Sequence, residues 1–157
     1  MSETVEKLID YWRGQGLSLR QGCYAKIVAD FERRNDAELP PAMRDYYLSV
    51  DGMKETFQNS EDRNGFSFWP LDRVTRVREA IDGAFIRPFK GDVNFFVFAD
   101  YMQWSWAYAA NFAPGSSCSI ILVGRDSPEL VATSFEEFVE LYTSDSARLY
   151  KGTDFSG

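Results

Sequence analysis

NFFVFADYMQWSWAYAANF, residues 94–112, is the stretch whose reading decides the fold. It holds two runs of strand-forming residues around the turn-like DYMQ, and SCSIILVG and ELVAT follow after APGSS and RDSP. β-branched and aromatic runs with short turn-rich connections predict a meandering antiparallel sheet. Alternation places Trp104, Trp106 and Tyr108 on one face of the second strand and Ser105, Ala107 and Ala109 on the other. In the first strand Phe96 and Phe98 oppose Phe95, Val97 and Ala99, so both faces are apolar and the strand is expected to be central.

Around this sheet the spacing turns helical. Val5, Leu8, Ile9 and Trp12 follow the i, i+3, i+4, i+7 rule, with Ser2 as cap and Gly14 at the end. Tyr24, Ile27, Val28 and Phe31 repeat the spacing and predict a second core-facing helix ending near Asn35, a residue that tolerates the left-handed conformation common after a helix. LPPAMRDYYLSVDG predicts a short third helix, with Pro41 in its first turn, Tyr46, Tyr47 and Val50 inward and Gly52 past its end. Residues 53–65 read as a polar loop in which Phe57 is the odd residue, and FSFWPL as a short strand stopped by Pro70. LDRVTRVREAI reads as a helix burying Leu71, Val74, Val77 and Ile81, and DGAFIRPFKGD as a loop. SFEEFVELY closes the pattern as a helix with the capping box Ser134 and Glu137 and an apolar stripe of Phe135, Phe138, Val139 and Tyr142. These elements predict a single α+β domain over residues 1–150, with helices on an antiparallel or mixed sheet of about four to six strands. Residues 151–157 are expected to be a mobile tail.

A chain of 157 residues with 45% apolar and 26% charged residues can build its own core. The net charge of −7 opposes attraction to nucleic acid or anionic lipid and would steer a basic partner inward. The start MSETVEKLIDYW lacks the basic and apolar regions of a signal peptide, and no run of about 18 apolar residues occurs, so a cytoplasmic location without membrane contact is expected. Cys23 and Cys118 are far apart and lack C-x-x-C spacing, and read as reduced, buried, small apolar residues.

Histidine is absent, which removes Ser-His-Asp and Cys-His activation and the H-E-x-x-H zinc site. Neither a P-loop nor a G-x-G-x-x-G pattern occurs. Asp72, Asp100, Glu129 and Glu137 are carboxylates that nothing in the sequence brings together as an acid and base pair. Glu61, Asp62 and Asn64 lack EF-hand spacing and read as an exposed acidic loop. No catalytic residue, metal or cofactor is therefore expected.

FERRNDAELPPAMRDYYLSVDG, FWPLDRV, and FADY with WAYA followed by ELVATSFEEFVELY stand in an order that resembles the SUKH superfamily of cell-wall-synthesis-regulator-like and bacterial toxin-immunity proteins. The resemblance covers roughly residues 22–142. It implies helices packed on a mixed or antiparallel sheet, binding and neutralisation of toxins, often nucleases, and no shared catalytic residues. One departure is local: members commonly carry a Gly-rich stretch where this chain has DYMQWSW.

The opening stretch is accordingly split. Trp106 and Tyr108 are expected to lean inward, while Asp100, Tyr101, Met102, Gln103 and Trp104 are expected to form a binding edge, because Tyr and Trp carry interface energy and Met adapts to irregular surfaces. With Glu61 and Asp62 as acidic rim, this predicts a non-enzymatic immunity protein whose partner is a basic cognate toxin. The alternative is a cytosolic regulatory domain that binds a small ligand or peptide in an aromatic-lined pocket. A carboxylate hydrolase is a third reading, which requires two close carboxyl groups in a cleft. The sequence does not specify the oligomeric state.

Overall fold

In a computed structural model of the chain, which describes residues 1–54, 61–80 and 86–155, the strand β5 (Phe95–Tyr101) lies inside the main sheet and organises it. On one side it pairs with β6 (Trp106–Asn111), followed by β7 (Ile120–Val123), β8 (Glu129–Ala132) and β9 (Thr153–Asp154), all antiparallel. On the other side β3 (Phe66–Phe68) pairs with residues 99–101 and β4 (Thr75–Arg76) with residues 96–97. The sheet thus has seven strands among the described residues. It exceeds the expected number through β4 and β9, each only two residues long.

Four α-helices occur among the described residues: α1 (Glu3–Gly14), α2 (Ala25–Asn35), α3 (Pro41–Ser49) and α4 (Phe135–Thr143). Their starts follow from local hydrogen bonding. Ser2 Oγ accepts from Val5 N–H at 3.2 Å, and Ser134 Oγ accepts from Glu137 N–H at 3.1 Å. The Glu137 carboxylate reaches back to Thr133 N–H at 3.0 Å, one residue before the usual capping-box target. A small ladder of β1 (Leu19–Gln21) and β2 (Val50–Met53) joins the helices.

The helices cover one face of the sheet through aromatic rings. Phe138 of α4 meets Phe68, Phe98 and Tyr108, and Trp12 of α1 meets Phe68 edge-on with centroids 5.1 Å apart. Phe31 of α2 meets Phe96 and Phe112. A register shift between Val97 and Ala99 turns Phe96 and Phe98 both towards helices, which strict alternation with Ala99 would not allow once Ala99 pairs with Tyr108. On the opposite face Ser67, Asp100, Ala107 and Val123 form a buried row across four strands, and Phe89 and Phe155 cover Phe95.

Four expectations change. The stretch 71–80 is not a helix: after a turn it pairs as β4 and then makes one 3₁₀ turn, Val77–Glu79. Leu71, Val74 and Val77 are buried as the spacing implied, but the β-branched residues Val74, Thr75 and Val77 favour extended backbone, which the open edge of β5 satisfies. Tyr24 and Ile27 do not face the core; Tyr24 is 80% exposed, because α2 docks only through Val28 and Phe31. The left-handed residue after α2 is Asp36 rather than Asn35. Finally, Thr153 and Asp154 pair with β8 and Phe155 packs on Phe89 and Phe95, where a free tail was expected. Phe57 and Ile81 lie outside the described residues.

Cys118 is buried, whereas Cys23 is half-buried, and both are free thiols. Burial pushes each thiol up to about 12, with Asp51 adding to the effect at Cys23. Both shifts favour the protonated thiol over the nucleophilic thiolate at neutral pH.

Candidate functional site

The β5–β6 hairpin ends in four residues, 102–105, between the paired Tyr101 and Trp106. Met102, Gln103 and Trp104 all have positive φ, at 48°, 52° and 70°. Ser105 N–H donates to Tyr101 O at 2.9 Å, which closes one left-handed turn. Residues with a β-carbon pay roughly 1–2 kcal/mol each for this conformation. The tip is also tied sideways, since Met102 N–H donates to Gly65 O at 2.8 Å. Met102 lies across Gly65 so closely that a β-carbon there would sit 2.5 Å from its sulfur, and the Glu61 carboxylate is 3.6 Å from the same point. Met102 and Glu61 therefore border one surface, and Met102 is 53% exposed.

The left-handed turn changes which face each aromatic residue serves. Trp106 and Tyr108 stay on the helix side, joined by a Trp106 Nε1 to Tyr108 OH bond of 3.1 Å, and Tyr108 OH donates onward to Leu149 O. Trp104 leaves that face and packs against Trp69, ring centroids 5.1 Å apart, on the side where Trp69 meets Asp100. The expected common face of Trp104, Trp106 and Tyr108 is thus broken, because alternation begins only at Trp106. Tyr101 stacks on Trp106 at 4.4 Å and is half-buried, while Gln103 is exposed.

Two of the expected site residues hold the fold from inside. Asp100 is buried and accepts from Trp69 Nε1 at 2.7 Å. Asp62 is buried as well: Oδ1 accepts from Asn64 N–H at 2.8 Å and Phe66 N–H at 2.9 Å, and Oδ2 receives the Tyr142 hydroxyl. Such paired carboxylates present nothing to a partner on the surface. Other acidic groups are exposed, and four of them, Glu3, Glu6, Asp10 and Glu140, line an open groove of about 390 Å³ between α1 and α4, with Lys7 paired to Glu140. The end of α1 reaches the turn beneath the tip, where Gln15 Oε1 accepts from Arg63 N–H at 3.0 Å.

Sequence reasoning missed Trp69 and Arg73. The Arg73 guanidinium lies 4.1 Å from the centroid of the Trp69 ring, so Trp69 is the floor on which both Trp104 and Arg73 rest. Reading FWPL only as a strand end hid this role. On the helix side the rings of Phe66, Phe68, Tyr108, Phe138 and Tyr142 are buried against one another. Among the described residues no three His, Cys, Asp or Glu side chains lie close enough to hold a metal ion, and no helix is long and apolar enough to cross a membrane.

A search of curated proteins returns no match. A family model does match, over residues 22–141, a span that takes in α2, α3, the strands from β2 to β8 and nearly all of α4. That span covers well over half of the chain, and the chain belongs to the SMI1 / KNR4 family (SUKH-1).

Proposed function

We propose that the chain is a non-catalytic immunity protein that binds and neutralises a basic cognate toxin, a nuclease by preference, through the hairpin tip. Membership of a family of immunity and regulator-like domains supports binding as the class of activity. The single observation that carries the placement is the tip itself, where an exposed Met102 and Gln103 project beside Glu61 on a backbone that local propensity alone would not choose. Strained backbone persists where surrounding structure imposes it, and it clusters at sites that act. The half-buried rings of Tyr101 and Trp104 supply apolar area next to the exposed pair.

The acidic balance suits a partner whose own substrate groove is basic. With Asp62 internal, the steering role passes to Glu61 and to exposed carboxylates such as Glu6 and Asp10 of α1. In this account charge sets the association rate, and Met102, Tyr101 and Trp104 set the lifetime of the complex.

The test is capture of the partner from the source cells by the tagged chain, followed by expression of the captured protein alone and together with the chain. A captured protein that stops growth alone and is harmless with the chain is the expected result, and Met102→Asp should abolish the rescue. Captured proteins that are harmless on their own would overturn the reading. An association rate unchanged between low and physiological salt would remove the electrostatic part.

A further inference from the structure

The tip has two features that do not fit a merely decorative turn. Three consecutive residues with β-carbons hold left-handed backbone, a conformation glycine adopts freely and others resist. In addition, Trp104 Nε1 is buried without a hydrogen-bond partner, while the neighbouring Trp69 Nε1 has Asp100. A buried donor left unmet loses its water and gains nothing in return. What holds the tip closed is the contact of Trp104 with Trp69 and the bond from Met102 N–H to Gly65 O. Opposing terms of this kind make a segment that opens locally, without unfolding the sheet below it.

We infer that Trp104 is a spring-loaded latch: the tip opens as a unit, Trp104 lifts from Trp69, and a partner that offers an oxygen acceptor to its indole N–H captures the open form. Opening relieves the backbone of Met102, Gln103 and Trp104 and uncovers the Trp69 ring with Arg73 beside it. A single neutral N–H takes one oxygen acceptor, and with the tip read as a protein contact that acceptor is a main-chain carbonyl or a carboxylate of the partner. The partner's role rests on the reading of the tip as the contact surface, but the latch itself is tested on the chain alone. An opening tip in a chain that neutralises nothing would sink the immunity reading and keep the latch; a rigid tip in a neutralising chain would do the reverse.

The experiment is hydrogen exchange of the intact chain by NMR, which detects open forms far too rare to see directly. The Trp104 indole N–H and the amides of Met102 and Ser105 should exchange together, at least tenfold faster than the Trp12 indole N–H, which is buried in the core and bonded to Tyr142. Gln103 is exposed, so substitutions there leave the core intact. Gln103→Gly should slow the tip about three- to tenfold relative to Trp12 by easing the left-handed turn, and Gln103→Ile should speed it by a similar factor. Exchange of Trp104 in step with Trp12, or a ratio that neither substitution moves, would overturn the latch.

Discussion

The indole N–H of Trp69 donates to Asp100 Oδ2 at 2.7 Å, and both residues are buried. This bond joins the strand end before Pro70 to the central strand, directly beneath the ring of Trp104. Asp100→Ala should therefore cost about 1–3 kcal/mol, since the Trp69 donor is left without its acceptor. Asp100→Asn keeps an acceptor oxygen and should cost less. Urea denaturation measures both, and an unchanged midpoint for Asp100→Ala would show that the bond contributes nothing. A loss of partner binding in Asp100→Ala would accordingly report on the support of the tip rather than on a surface contact.

Tyr142 links two distant parts of the chain. Its hydroxyl accepts from Trp12 Nε1 at 2.9 Å and donates to Asp62, so one atom ties α1 and α4 to the turn before β3. Tyr142→Phe keeps the ring and removes both bonds. The expected loss is about 1–3 kcal/mol. Thermal unfolding should show it as a fall of about 2–4 °C in Tm per kcal/mol for a domain of this size. A Tm equal to that of the parent chain would mean that the ring alone stabilises this junction.

Alkaline pH should unfold the chain. Burial raises the hydroxyls of Tyr46, Tyr47, Tyr108 and Tyr142 above the ordinary value of 10, and the Asp62 carboxylate adds to this at Tyr142. Above pH 10 the unfolded chain releases these protons while the folded chain retains them, so fewer protons are bound in the unfolded state and stability falls as pH rises. Below pH 10 the contribution is complete. Phenolate absorbance and circular dichroism followed together check this: these four of the eight tyrosines should ionise only as secondary structure disappears. Ionisation of all eight with the dichroism unchanged would contradict the burial argument.

By itself the sequence determined the elements whose periodicity matches their burial. Val5, Leu8, Ile9 and Trp12 specify the inner face of α1, Ser134 with Phe135, Phe138, Val139 and Tyr142 specify α4, and the runs after Asn94 specify an antiparallel meander. These signals are local, because a cap or an apolar repeat acts within a few residues of itself. Only the tertiary structure decided the rest. The free edge of β5 drew residues 75–76 into the sheet against a helical spacing, and one register shift turned Phe98 towards α4. The left-handed tip sent Trp104 to Trp69, and the pairing of Asp62 and Asp100 with Tyr142 and Trp69 took two carboxylates off the surface. Each of these depends on a partner distant in sequence whose position exists only once the sheet is assembled, so spacing along the chain carries no trace of it.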